Sequence, residues 1–326
     1  MISLILTVFD EGAAIRRLLD SLAAQTLPPD EIVVVDGGST DDTVAQLLAY
    51  ADRLPLRVLV EPGANISRGR NLAIAAAGGD ILALCDAGVR LEPGWLQAIT
   101  RPLVDDPTVM VVSGWFEADP ATAFEVAMGA TVLPMADEID SAAFLPSSRS
   151  LAMRKAAWES VGGYPEWLDY CEDLVFDLAL RAQYGRFGWA PDAVAHFRPR
   201  GSLRAFFRQY YRYSRGDGKA DLWRQRHAIR YVTYLAAAPL LVALGGLVHP
   251  VFWLAALLSF AAYCARPYRR LFRLWRRPLA AGRLLTPIEK FYTLLLPPVI
   301  RVVGDVAKMV GYPVGVWWRR AHRKVE

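Results

Sequence analysis

The chain has 326 residues, 54% of them hydrophobic, and its net charge of +4 hides a division: residues 1–197 carry 13 Lys and Arg against 28 Asp and Glu, and residues 198–326 carry 24 against 5. That length holds one large domain and an appendage, and the three cysteines, Cys85, Cys171 and Cys264, have neither paired nor metal-like spacing, which excludes a disulfide framework and a cysteine metal site. A basic tail binds nucleic acid or an anionic membrane surface. The apolar runs inside this one favour the membrane and set nucleic acid aside.

Residues 2–8 read as a strand, and no signal peptide is expected ahead of it. Asp10 and Glu11 follow, then a helix with Ile15, Leu18, Leu19 and Leu22 on one face. After Pro28-Pro29 comes Ile32-Val33-Val34-Val35, four β-branched residues that read as a strand buried on both faces of a parallel sheet. It ends at Asp36-Gly37-Gly38, where the glycines permit a sharp turn. Ser39 or Thr40 is then expected to cap a helix with Asp41 and Asp42 in its first turn. Asp36 thus stands at the carboxyl end of a strand beside a helix start, the edge at which open α/β sheets bind ligands.

Residues 56–60 are a third strand. Asn65 opens a helix that runs to Ala77, and Arg68 and Arg70 near its start are badly placed for the helix dipole, which predicts that they face an anion. Residues 81–85 form a fourth strand that ends at Asp86. Three acids, Asp10 or Glu11, Asp36 and Asp86, therefore follow strands of one sheet, and a parallel arrangement gathers them along one edge. Residues 90–103 read as a helix, 109–115 as a strand, 117–146 as helices, and 189–196 as a last strand. Residues 204–215 are rich in Arg, Phe and Tyr and read as an amphipathic segment on a membrane surface. No Asp, Glu, Lys or Arg occurs between Arg230 and Arg266. That run is too long for one span and tight for two, and His249-Pro250 marks where a two-span or re-entrant hairpin would turn. Arginines flank it on both sides, which puts both flanks on the cytoplasmic face. Residues 287–318, broken by Pro297-Pro298, Arg301, Asp305 and Lys308, read as interfacial.

Taken together these stretches resemble the family-2 glycosyltransferases of GT-A fold over residues 1–200. The resemblance implies that Asp36 contacts the base and ribose of a sugar nucleotide. It implies that Glu11 touches the nucleotide, although Thr7-Val8-Phe9-Asp10-Glu11 matches the family only in part. Arg70-Asn71 matches an Arg-Asn pair near the diphosphate, with Arg68 beside it. Asp86-Ala87-Gly88 stands where the family has an Asp-x-Asp motif that holds Mg2+ or Mn2+ against the diphosphate. Gly88 replaces the second acid, which leaves Asp86 and His196 as candidate ligands. Arg149 and Ser150 lead into 151–154, a strand in the family whose small residues line the donor sugar. Gly162-Gly163-Tyr164 matches the family's Gly-Gly-aromatic loop, and Glu172-Asp173 matches the pair that supplies the catalytic base. Asp173 is the better match and Glu172 its rival, and a helix start there is expected to hold the carboxylate ionised.

The expected fold is α/β: a GT-A-like, Rossmann-type mixed sheet flanked by helices over 1–200, a basic aromatic linker helix over 201–230, and a membrane hairpin with interfacial helices over 231–326. The expected function is inverting transfer of a sugar from a nucleotide-sugar donor to a lipid-linked or polysaccharide acceptor. The expected location is the cell membrane with the catalytic domain cytoplasmic. The rivals are a sugar nucleotidyltransferase, which needs a Gly-rich basic N-terminal loop absent here, and a catalytically silent membrane adaptor, which the loss at Gly88 allows.

Overall fold

The computed structural model describes residues 1–322. It divides into two compact units, residues 1–118 with 135–198, and residues 119–134 with those from 199 onward. The first unit is an eight-stranded sheet made of β1 (Ile2–Val8), β2 (Glu31–Asp36), β3 (Leu56–Val60), β4 (Ile81–Leu84), β5 (Val89–Leu91), β6 (Val111–Ala118), β7 (Leu151–Arg154) and β8 (Gly188–Phe197). Its order is β3-β2-β1-β4-β7-β6-β8-β5. The first four strands in that order are mutually parallel, β7 runs antiparallel to both β4 and β6, and β8 is parallel to β6 and antiparallel to β5.

The β-branched run of β2 is buried on both faces because successive side chains alternate across the sheet. Ile32 and Val34 pack with the helices α1 (Arg16–Ala23), α2 (Thr43–Leu48) and α4 (Trp95–Asp105) on one side. Val33 and Val35 pack with α3 (Ile66–Ala76), α6 (Lys155–Ser160) and α7 (Glu172–Tyr184) on the other, where Tyr164 stacks on Phe176 at 3.9 Å. With β1, β2 and β4 parallel, Asp10, Asp36 and Asp86 leave the sheet at one edge. β7 runs the opposite way and pairs Leu151 with Leu84, so Arg149 enters the sheet beside the exit of Asp86.

Two local expectations are corrected. Residues 90–103 are not one helix: Val89–Leu91 pairs with β8, and the helix begins at Trp95. Neither Ser39 nor Thr40 caps α2, which starts at Thr43; Asp41 accepts the Thr43 amide at 2.9 Å, and Ser39 is drawn to Asp36 instead.

The second unit holds α5 (Ala123–Val132), α8 (Leu203–Lys219), α9 (Arg224–Val232), a π-helical turn at Thr233–Ala237, α10 (Ala238–Leu247), α11 (Val251–Leu274) and α12 (Pro287–His322). α8 and α12 meet backbone to backbone through glycines: a Cβ on Gly311 or Gly315 would collide with the carbonyls of Tyr211 or Arg215. Ser214 donates to the Lys308 carbonyl at 2.8 Å across the same seam. Asp305 of α12 accepts from Arg230 at 2.8 Å, Tyr263 at 2.6 Å and Tyr234 at 3.1 Å, and so ties α9, the π turn and α11 to α12. Residues Arg224–Leu247 and Val251–Leu274 form helices long and apolar enough to cross a membrane, and they expose Leu240, Leu247, Leu254, Leu257 and Phe260. α12 exposes Ile288, Phe291, Leu295, Val299, Val302, Val306, Val310 and Trp317, an apolar stripe at helical spacing along its outer face.

Candidate active site

Arg70 is the centre of the polar cluster at the sheet edge. It lies in the second turn of α3, whose N-cap Asn65 accepts the Arg68 amide at 2.9 Å. Its buried guanidinium donates to Glu172 at 2.9 Å and Asp86 at 3.0 Å, and stands over the Tyr164 ring at 5.2 Å. Burial alone would depress its pKa; the carboxylates of Glu172 and Asp86 outweigh burial and hold it protonated. The second oxygen of Asp86 accepts from Arg149 at 3.1 Å. Arg149 is itself held over the rings of Phe116 at 5.3 Å and Phe197 at 4.7 Å.

Glu172 and Asp173 occupy the first turn of the 13-residue α7, behind a left-handed Cys171 at φ 66°. Burial, then the charge of Asp173, pushes Glu172 up to about 7 against the pull of Arg70. Its carboxylate is committed to that arginine. Asp173 is half-buried and accepts the Leu174 amide at 2.8 Å. Burial raises its pKa while Arg70 and Arg149 oppose the rise. The helix start was expected to favour the ionised form, and the helix dipole does not overcome this desolvation. A raised carboxylate is the better proton acceptor.

The remaining predicted residues fall around this cluster in different ways. Asp36 is buried and turns back on its own loop, accepting from the amides of Gly38 at 3.0 Å and Ser39 at 2.9 Å and from the Ser39 hydroxyl. Gly38 lies at φ +94°, the left-handed region that this turn requires. The Glu11 amide donates to Thr43 at 2.8 Å, which sets Glu11 beside the same turn. Arg68 is exposed and pairs with Glu61 at 2.7 Å and Glu166 at 3.7 Å.

Asn71 latches the Gly162-Gly163-Tyr164 loop. Its amide donates to the Tyr164 carbonyl at 2.9 Å and Glu166 at 3.0 Å, and accepts from Trp158 at 3.0 Å and the Tyr164 amide at 2.8 Å. Ser150 is buried; it accepts from Trp95 at 2.8 Å and donates to the Ala193 carbonyl at 2.9 Å. His196 shares a 2.5 Å hydrogen bond with Glu92, and its pKa is lowered, first by burial and then by Arg90.

Sequence reasoning missed Asp177, one helical turn beyond Asp173. It is fully buried, neither oxygen has a hydrogen-bond partner, and burial, then Asp173, drives its pKa well above the carboxylate range. The signal was an acid on the apolar stripe that carries Phe176 and Leu180. Glu92 and Glu166 were missed as the partners of His196 and Asn71.

The donor set does not fit a divalent cation. Both Asp86 oxygens hold guanidiniums, Gly88 contributes no ligand, and His196 faces Glu92. Among the described residues no three acid, histidine or cysteine side chains gather as a metal site.

Residues 3–159 match glycosyl transferase family 2. The chain is 28% identical over 269 residues to the succinoglycan biosynthesis protein ExoA of Rhizobium meliloti (strain 1021), covering 77% of this chain and 79% of that protein. It is 25% identical over 223 residues to the O-antigen chain rhamnosyltransferase RfbN of Salmonella typhimurium, covering 64% and 70%. Matches to several other glycosyltransferase relatives cover 103–118 residues, 31–35% of this chain and 26–38% of each relative. In fold it is similar to the mannosyltransferase PcManGT of Pyrobaculum calidifontis, solved with GDP-Man and Mn2+, at a TM-score of 0.54 and 19% identity over 99% of this chain and 87% of that one.

Proposed function

We propose that this glycosyltransferase, whose residues 3–159 match glycosyl transferase family 2, moves a sugar from a nucleotide-sugar donor to a glycan acceptor at a membrane face, with inversion at the anomeric carbon. The observation that carries the reading is the cluster of Arg70, Asp86, Arg149, Glu172 and Asp173 at the edge where the parallel strands end. The turn at Asp36 and Glu11 takes the nucleoside, and the arginines take the diphosphate. Asp173, whose carboxylate is the less committed of the acid pair, accepts the proton of the acceptor hydroxyl as that oxygen attacks the anomeric carbon. Glu172 keeps Arg70 in place.

A nucleotide-sugar donor is supported by the GDP-Man complex of the fold neighbour. A glycan acceptor is supported by relatives named for succinoglycan biosynthesis and for an O-antigen chain. Membrane placement is supported by the two apolar helices and their arginine flanks, which favour a hairpin with both ends cytoplasmic. At 36 residues α12 is about 54 Å long. It is interrupted by Arg301, Asp305 and Lys308, and its outer apolar stripe suits a helix lying in the membrane plane.

The test is release of nucleoside diphosphate from UDP-sugars and GDP-sugars by the purified full chain. Asp173→Asn should lower turnover roughly 100-fold or more with nucleotide affinity little changed. Glu172→Gln should lose stability as well as activity. Retention of turnover by Asp173→Asn alongside a folded but inactive Glu172→Gln moves the base to Glu172. Retention by both refutes the mechanism.

A further inference from the structure

The position that departs from the family motif is spatially open. A Cβ on Gly88 meets nothing within 4 Å, and Gly88 does not need the left-handed backbone conformation. No packing reason therefore keeps an acid out. The acid that remains, Asp86, is not presented to solvent as a bare carboxylate, because Arg149 holds its Oδ2 at 3.1 Å.

Charge explains how the two features belong together. Two acids and a divalent cation sum to zero; with the charge of Arg70 set against Glu172, Asp86 and Arg149 also sum to zero. Loss of the acid at position 88 and placement of an arginine beside Asp86 leave the same net charge at the diphosphate. Arg149 is also built for that task. It precedes β7, which pairs antiparallel with β4, so the sheet register fixes it at the exit of Asp86. Phe116 and Phe197 hold the guanidinium plane. Its side chain is 20% exposed, against 6% for Arg70, so of the two it is the one a donor can reach. A guanidinium presents parallel N–H groups that match phosphate oxygens two at a time.

We propose that Arg149 is a catalytic residue that stands in for the divalent cation: it binds the donor diphosphate and neutralises the nucleoside diphosphate as it leaves, so that turnover needs no metal. The inference rests on the nucleotide-sugar reading above. As the acceptor oxygen bonds to the anomeric carbon, the bond from that carbon to the diphosphate oxygen breaks. The electron pair stays on the phosphate, and the acceptor proton goes to Asp173. Arg149 keeps its proton throughout and meets the new charge through hydrogen bonds.

Calorimetry on the purified full chain, with UDP and GDP as probes, tests this in EDTA and in MnCl2. The nucleotide that binds should do so within about twofold of the same affinity in both buffers. In EDTA, Arg149→Ala should weaken it roughly 10–100-fold, the size of a lost charge-assisted contact, and Arg149→Lys should fall between. Gly88→Asp should gain stoichiometric Mn2+ binding, read by electron paramagnetic resonance, where the wild type shows none. Binding abolished by EDTA and restored by Mn2+ overturns the proposal, as does wild-type affinity in a folded Arg149→Ala. Should Arg149→Ala fail to fold, the buffer comparison on the wild type and on Arg149→Lys decides. A wild type that binds neither nucleotide in either buffer overturns the donor reading itself, and this inference with it.

Discussion

Arg70→Met leaves two carboxylates without their buried cation. Arg70 reaches Glu172 at 2.9 Å and Asp86 at 3.0 Å, and its side chain and that of Glu172 are under 10% exposed. Removing one member of a buried pair costs about 3–5 kcal/mol because the other charge stays desolvated. At roughly 2–4 °C for each kcal/mol, the thermal midpoint should fall by about 6–20 °C. The loss should depend on pH in a defined direction. Glu172 is already pushed up to about 7 with Arg70 present, and without the arginine it rises further. At pH 6 it can take a proton and relieve the strain; at pH 8 holding it neutral works against the solvent. The drop in midpoint is therefore larger at pH 8 than at pH 6. Arg70→Met with Glu172→Gln removes both charges and should recover part of the loss, with a coupling of about 0.5–3 kcal/mol. Circular dichroism melts of the three variants and the wild type measure this. A midpoint for Arg70→Met within about 2 °C of the wild type at pH 8, under one kcal/mol on the same scale, refutes the assignment of Arg70 as the buried cation of the cluster.

Asp177 has a folded pKa raised above its unfolded value, so its contribution is fully present below pH 3.8 or so and is lost as pH rises toward the folded pKa. Asp177→Asn cannot ionise; it should match the wild type near pH 4 and exceed it at pH 8 by at least about 1 kcal/mol, or ~2–4 °C, and an equal midpoint at both pH values counts against an unpaired buried acid. For the membrane hairpin, single cysteines at positions 225 and 270, placed in a chain whose Cys85, Cys171 and Cys264 have been replaced, should react with an impermeant thiol reagent from the same side; reaction from opposite sides rules the hairpin out.

Elements whose partners are the solvent or the whole sheet were legible, and elements whose partners are single distant segments were not. Four β-branched residues in β2 declare a strand wherever they pair, and Leu56–Val60 was read to the residue. The turn between α10 and α11 falls at Val248-His249-Pro250, where a His-Pro pair sits midway along the uncharged run. By contrast, Val89–Leu91 is a strand only because β8, a hundred residues later, lies beside it. α5 carries buried Ala123, Val126, Ala127 and Met128 around much of its circumference. It packs with α11 and α12 in the second unit, and nothing in residues 117–146 announces that the chain leaves one unit for the other and returns.

The same distinction governs the site. Acids at strand ends could be placed on one edge by counting, since parallel strands deliver their carboxyl ends together. What each side chain then does there depends on its partner. Asn71 matches a motif near the diphosphate, yet two of its amide's four hydrogen bonds go to Tyr164 of the Gly162-Gly163-Tyr164 loop and the other two to Trp158 and Glu166 on either side of it. Gly163 explains why: at φ +78°, with an added Cβ 2.7 Å from Asn71 Oδ1, it lets the loop come close enough to be latched. The motif residues thus divide into those that build the edge and those that face the donor. Gly88 and Arg149 belong to the second group only as a pair. Read alone, Gly88 is a lost ligand and Arg149 a basic residue before a strand. The antiparallel register of β4 and β7 sets Arg149 against the acid that precedes Gly88, and the missing charge and the added one fall at the same place.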